Sequence, residues 1–341
     1  MDMKIGKFSL TTTLLVLLFI NCSKENNPAK LKSSSAGNSV VSQSDITLIP
    51  LNDLGKNTYK DSVGGLYPGG KNSPSGTYAN DLLKTSNSIA PIDSFGNPHK
   101  HGRIVFISLG GSTGGHNMTQ LKKQTKNNPL TNSNLVLLDC NNGYGDASLN
   151  SIMNPNDSYW DHVTQIIQGA YSSYRQVQII YLETDDSSMQ KYWPNRPNLV
   201  KNELESCLRV FKQKFPNIKM VYVLGRTRTF GNEELWNREP SPYYFGWACK
   251  WAIQDQINGV PGTQYKGKKA VAPMITWGWY QWADTTPRKT DGFYWLQSET
   301  SDGLHATPEG QDTLATRFQN FLLTDKFAKI WYAAQPTGFS K

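Results

Sequence analysis

The sequence predicts an α/β fold: a three-layer α/β/α sandwich on a mostly parallel five-stranded sheet. Three observations carry this. Five short, nearly continuous apolar runs each end in turn-forming residues, as strands buried on both faces do. Segments with helical apolar spacing lie between them, the alternation of a parallel sheet covered on both sides. The 341 residues suffice for one large α/β domain, and no internal repeat or second domain is visible.

From the N-terminus, Lys4 and Lys7 form a short basic region, and SLTTTLLVLLFI (9–20) is too short to span a bilayer but suits an export-signal core. Cys22 follows at once. The segment resembles a bacterial lipoprotein signal, in which Cys22 becomes the lipidated first residue; Glu25 resembles a surface-export signal. The expected organisation is a signal at 1–21, a lipidated flexible tether at 22–62, rich in Ser, Asn, Lys and Gly, and a single domain at 63–341. The expected location is outside the cytoplasm: anchored by lipid to the outer membrane, on its surface or periplasmic face, or secreted.

VGGLYPGGKNSPSG (63–76) is too rich in Gly and Pro for a helix or central strand and reads as an ordered loop. The strands are RIVFISLGG (103–111), NLVLLDCNNG (134–143), QVQIIYLETDD (176–186), IKMVYVLGRTR (218–228) and KAVAPMITWG (269–278). Between the third and fourth, residues 198–215 place Val200, Leu204, Cys207, Leu208, Phe211 and Phe215 on one helical face. Residues 245–258 form another helix. The last runs from Thr307 to about 323, with Thr307 as N-cap, Pro308 in the first turn and Glu309 at the positive end of the dipole; Leu314, Phe318 and Leu322 form its buried stripe.

Ligands of such sheets bind at the carboxyl ends of the strands. There SLGGSTGGHN (108–117) sets Ser112 in a glycine-flanked turn ahead of a helix, which suits a nucleophile beside an oxyanion site. A phosphate loop is the alternative, but it lacks the Walker lysine and does not fit GxGxxG. SDGLHATPEG (301–310) sets Asp302 three residues before His305, on the loop entering the last helix.

Together these blocks resemble the SGNH (GDSL-type) hydrolase superfamily, over residues 103–324. GGLYPGG, NREPSPYYFGWACKWAIQDQINGVPG and ITWGWYQWAD are similar to a secreted bacterial subgroup of it. The resemblance implies a flavodoxin-like sheet and a Ser112–His305–Asp302 triad: Ser112 attacks an ester carbonyl, His305 relays the proton and Asp302 orients the imidazole. Two departures stand out. The family's Gly-Asp-Ser is Gly110-Gly111-Ser112 here. Its oxyanion hole uses the serine N–H, a glycine after the second strand and an asparagine after the third. Gly143 or Gly145 can be that glycine, but the third strand ends Glu183-Thr184-Asp185-Asp186, where a carboxylate would repel an oxyanion unless turned away. Asn141, Asn142, Asn117 or Thr184 are possible substitutes.

Other candidates are weighed one by one. His116, near Ser112, is a candidate substrate contact. His99 and His101, without acidic company, read as solvated rather than metal-binding, and His162 as structural. Arg226 and Arg228 face the active edge, for an anionic group or for surface pairing. Trp277, Trp279 and Trp282 form an expected exposed aromatic wall for sugar rings, though half or more of the late aromatics should pack the core. Cys140, Cys207 and Cys249 read as buried thiols; a Cys207–Cys249 disulfide has no support in the sequence.

The chain has 35 Lys+Arg and 27 Asp+Glu, a net charge of +8, with no run of five basic residues; nucleic acid is not an expected partner. No cofactor or metal is implied, and membrane contact is expected through the lipid anchor only. The expected function is a secreted serine esterase that deacylates, and specifically deacetylates, a small ester or a glycan. The alternative is an inactive surface glycan-binding lipoprotein on the same scaffold.

Overall fold

The computed structural model describes residues 48–141, 144–145, 147–187, 192–231 and 237–334, within a folded unit at 47–341. The signal, Cys22 and most of the tether lie outside the described residues. The folded body starts before the expected boundary at residue 63. Leu48, Leu51 and Leu54 are buried, with helix α1 at Leu51–Leu54. Strands β1 (Thr58–Tyr59) and β2 (Ser62–Val63) form a small antiparallel pair. Buried Lys250 holds this pair to the domain by donating to the carbonyls of Val63 and Gly64. Three leucines spaced for burial outweigh the Ser/Asn-rich composition around them.

All five expected sheet strands form: β3 (Ile104–Gly110), β4 (Leu135–Asp139), β5 (Val177–Glu183), β6 (Met220–Val223) and β7 (Met274–Trp277). Their order is β4-β3-β5-β6-β7 and every pairing is parallel. This is the doubly wound order whose chain reverses direction between its first and third strands, here β3 and β5, the place where such sheets hold ligands. Every residue of β3, β5, β6 and β7 is buried, as continuous apolar strands between two helical layers require.

Helix α2 (Gly76–Asn87) precedes the sheet. Helices α3 (Ser112–Thr125) and α8 (Pro308–Thr324) pack together on one face. On the other lie α4 (Leu149–Met153), α5 (Tyr159–Gly169), α6 (Asn195–Lys214) and α7 (Ser241–Asn258), with α6 against α4 and α7. Short α9 (Lys329–Tyr332) closes the chain over α8 and α2. The Thr307 hydroxyl accepts from Gly310 N at 3.1 Å, so the expected cap starts α8. Cys140, Cys207 and Cys249 are buried free thiols, and burial pushes each of them up.

Candidate active site

Ser112 is the first residue of α3, directly after β3. Gly110 makes the turn possible. Its φ is +130°, and a Cβ there would lie 2.1 Å from the Glu183 carbonyl oxygen. The turn is stapled to both neighbouring strands: Gly111 N donates to Glu183 O at 3.0 Å, and Gly110 N to Asn141 Oδ1 at 2.7 Å. Ser112 is thereby fixed at the β3/β5 reversal, where the N-terminal dipole of α3 favours negative charge.

The loop before α8 is equally constrained. Thr300 bridges Ala306, and Ser301 N donates to His305 O at 2.8 Å. Asp302 Oδ1 accepts from the backbone N–H groups of Leu304 (2.9 Å) and His305 (2.7 Å), which closes the turn locally. Ala306 rests on a small separate core of Ala283, Phe293, Trp295 and Leu314, so part of the late aromatic cluster is a platform for this loop.

These two segments bring three side chains into line. Ser112 Oγ lies 2.8 Å from His305 Nε2, and His305 Nδ1 lies 2.6 Å from Asp302 Oδ2. Partial desolvation raises the Asp302 carboxyl, but the His305 ring and the N–H groups of His305 and Leu304 outweigh it and hold it down at about 2. The ionised carboxylate accepts a hydrogen bond from Nδ1–H, which keeps that proton on Nδ1 and leaves the Nε2 lone pair for the serine hydroxyl. The arrangement can therefore accept a proton from Ser112 as the oxygen attacks an electrophile.

A cleft of about 240 Å³ opens beside Ser112. It is lined by Gly111, Thr113, Ser148, Thr184, Asp185, Ser187, Arg226, Asn237 and Leu304. Its walls carry many donors, and among the described residues Leu304 is the one large apolar side chain lining it. Asp185 does sit at the end of β5, but both its oxygens are engaged. Oδ1 accepts from Arg196 (2.7 Å) and Asp186 N (2.8 Å), and Oδ2 accepts from Arg226 (3.2 Å). Arg226 is also held by Asn237 Oδ1 at 2.6 Å. Burial raises the Asp185 carboxyl, and the two arginines offset that only in part.

Several expected contacts lie elsewhere. Trp277 and Trp282 are buried in the core, their Nε1 groups donating to Leu66 O and Glu239 Oε1. Trp279 is half-buried edge-on against Phe293, and its Nε1 donates to Asp291. None of the three lines the cleft, so the expected aromatic wall is overturned: each indole found a core partner. Asn141 turns inward: its Oδ1 accepts from Gly110 N and the Tyr159 hydroxyl, its buried Nδ2 finds no partner among the described residues, and the side chain does not line the cleft. His116 lies near His305, ring centres 5.8 Å apart and planes tilted by 60°, in a crevice that shares Thr113 and Leu304 with the cleft. Gly145 is described but does not line the cleft, while Gly143 and Asn142 lie outside the described residues. Arg228 pairs with Asp284. Among the described residues no cluster of His, Cys, Asp or Glu could hold a metal ion.

The sequence reading missed Ser148, Ser187, Asn237 and the role of Arg196. No local motif marks them; long loops and a helix bring them to the edge. Asp185 was visible in the sequence, but not the two arginines that hold it.

No family model and no curated protein matches this chain. Among solved structures, one from Bacteroides fragilis NCTC 9343, described as a "putative acylhydrolase", is 11% identical, with a TM-score of 0.36, over 72% of this chain and 97% of that one. A likeness that slight carries no argument about chemistry, which rests on the geometry above.

Proposed function

We propose that this protein is a serine acyl-ester hydrolase of the SGNH type. The observation that carries the reading is the continuous Ser112–His305–Asp302 hydrogen-bonded line at the carboxyl edge of the sheet. Ser112 Oγ adds to the ester carbonyl while His305 Nε2 takes its proton. The tetrahedral oxyanion then collapses, and His305 returns the proton to the leaving alcohol. Water, deprotonated by the same histidine, frees the acyl group and regenerates Ser112. Asp302 holds the tautomer and stabilises the imidazolium throughout. Developing negative charge is met by the first turn of α3 and by the Arg226 guanidinium in the cleft wall, in place of the asparagine side chain that the family carries after its third strand.

The substrate in this reading carries a short acyl group, such as acetyl, on a polar hydroxylated body, of which a glycan is one. A small cleft with hydroxyl, amide and guanidinium walls supports it, since among the described residues a long acyl chain finds one large apolar side chain, Leu304, to contact. The reading includes export and lipidation at Cys22. The binding-protein alternative rests on the missing Asp before Ser112 and the missing asparagine after the third strand; the aromatic face it would use is lost, with Trp277 and Trp282 in the core and Trp279 half-buried against Phe293.

Covalent labelling tests the proposal. The folded protein, incubated with a fluorophosphonate, should gain one adduct by intact mass. The adduct should be absent in Ser112→Ala and formed at least ~10²-fold more slowly in His305→Ala. A folded wild-type protein that takes no adduct, or a Ser112→Ala variant that labels at the wild-type rate, would refute it.

A further inference from the structure

Because all five sheet strands are parallel, the loops leading into them share the edge opposite Ser112. These loops are stitched into one surface. Asn134 Nδ2 donates to Gly102 O (2.9 Å), Gln176 Nε2 to Ile92 O (2.8 Å), Asn217 Nδ2 to Arg175 O (2.8 Å), and Met274 N to Lys219 O (3.1 Å). Together, residues 88–103, 126–134, 170–176, 215–219 and 259–273 contain eight Lys and Arg and a single carboxylate, Asp93. The described parts of the loops leaving the strands (111, 140–141, 144–145, 147–148, 184–187, 192–194, 224–231, 237–240 and 278–307) contain five basic residues and seven acidic ones. The fold thus sorts its charge between the two edges of one sheet.

Lys100, Lys126, Arg175, Lys268 and Lys269 on the basic edge are exposed and make no ion pair among the described residues. Large apolar side chains stand among them. Tyr171, Phe95 and Leu130 are 90%, 72% and 62% exposed, and Tyr174 and Val271 are exposed as well. We infer that this edge docks on an anionic phospholipid surface, with the Ser112 cleft turned to the opposite side. The unpaired cations match anionic headgroups, and the aromatic and aliphatic tips enter the interfacial layer. A nucleic acid or other soluble polyanion would engage the cations and stack on the aromatic rings, but would leave Leu130 and Val271 in water. No helix of the described residues is long and apolar enough to cross a membrane, and this contact needs none.

Vesicle partitioning tests the inference independently of the esterase reading. The full chain carrying Cys22→Ser, which removes any acyl anchor there, is mixed with neutral phosphatidylcholine vesicles or with vesicles holding about one-third phosphatidylglycerol. Binding should favour the anionic vesicles and fall with salt. Lys268→Gln/Lys269→Gln should weaken it about 25-fold, at roughly fivefold per charge removed, with an unchanged melting temperature. A Tyr171→Trp reporter should shift to the blue on binding and be quenched by brominated acyl chains. Equal binding to neutral vesicles, an unaffected lysine double variant, or an unshifted reporter alongside tight heparin binding would each overturn the inference. Every variant carries the same N-terminal segment, so the differences report on the loop edge alone.

Discussion

Gly303→Ala should silence Ser112 without unfolding the protein, although residue 303 lies in neither the triad nor the cleft. Gly303 has φ +85°, a conformation that costs an L side chain about 1–2 kcal/mol. An added methyl would also lie 2.5 Å from Gly231 N, 2.9 Å from Gly231 Cα and 3.0 Å from Phe230 C. All three are backbone atoms, so no rotamer change relieves the clash. Ordinary contact begins near 3.4 Å, so the loop must retreat by about 1 Å and pull against the 2.7 Å bond from Phe230 N to Gly303 O. Asp302 and His305 ride on that loop, and a displacement of ~1 Å costs about 10²-fold in rate. The assay is the rate constant of fluorophosphonate labelling, with turnover of p-nitrophenyl acetate and a thermal melt in parallel. Labelling should slow about 10²-fold while Tm falls only several degrees, at about 2–4 °C per kcal/mol for a chain of this size. Gly259→Ala is the control: φ there is +70° but no atom lies within 4 Å of the added methyl. It should cost about 1 kcal/mol of stability and leave labelling untouched. Labelling of Gly303→Ala within threefold of wild type, or an equal loss in Gly259→Ala, would refute the reasoning.

Four further outcomes follow from the electrostatics of the site and of the ion cluster behind it. Asp302→Asn should reduce kcat by about 10³-fold, because an amide NH2 at the Oδ2 position donates to Nδ1 instead of accepting its N–H and favours the wrong tautomer; steady-state kinetics at neutral pH check it. Asp302 has a folded value near 2 against an ordinary 3.8, so its contribution to stability is present above about pH 4 and lost as pH falls towards 2. The side chain is half exposed, and solvent screening keeps that contribution below ~1 kcal/mol. Arg226→Gln should lower kcat/KM about 10²-fold, and Arg226→Lys should not restore it, since an ammonium cannot replace the planar fork set between Asp185 and Asn237. Equal activity of both variants and wild type would remove Arg226 from the chemistry. Buried Glu203 is pushed up to about 8, by desolvation first and then by nearby Asp186. Its raised folded value makes stability highest below about pH 4.5 and lower as pH climbs through 8, by on the order of 3–5 kcal/mol. Glu203→Gln should flatten that slope in urea melts between pH 5 and 9, and an unchanged slope would refute the assignment.

The five strands and the Thr307 cap were legible in the sequence because each depends on local signals, whereas the meeting of Ser112 with Asp302 and His305 was legible from their shared place at the strand ends and from the resemblance to SGNH hydrolases. Four of the five apolar runs reach a glycine and the other a Thr-Asp-Asp turn, and a threonine precedes Pro308. What the sequence hid depends on the third dimension. Trp277, Trp279 and Trp282 sit too close together for one buried strand, yet they diverge after β7 into separate partners: the Leu66 carbonyl, Phe293 and Glu239. Leu48, Leu51 and Leu54 looked like part of a tether because their packing partners are distant in the chain. The basic edge was equally hidden. The sequence has no run of five basic residues, and only parallel strand order gathers the loops that carry them.

Asp185 shows why reading a site one residue at a time misleads. As an isolated carboxylate at the end of β5 it argues against an oxyanion site, because like charges within a few ångströms repel strongly where water is excluded. In the folded chain it is the acceptor that orients Arg226, with Arg196 shared between it and Asp186. Removing one member of a buried ion pair costs far more than the pair is worth, because the remaining charge is left uncompensated. The cluster is therefore stiff, and stiffness is what a donor near a developing charge needs: a guanidinium already fixed by Asp185 and Asn237 has little reorganisation left to do when the charge appears. On the proposed reading, the carboxylates that seemed to spoil the site are the supports that hold its cation in place.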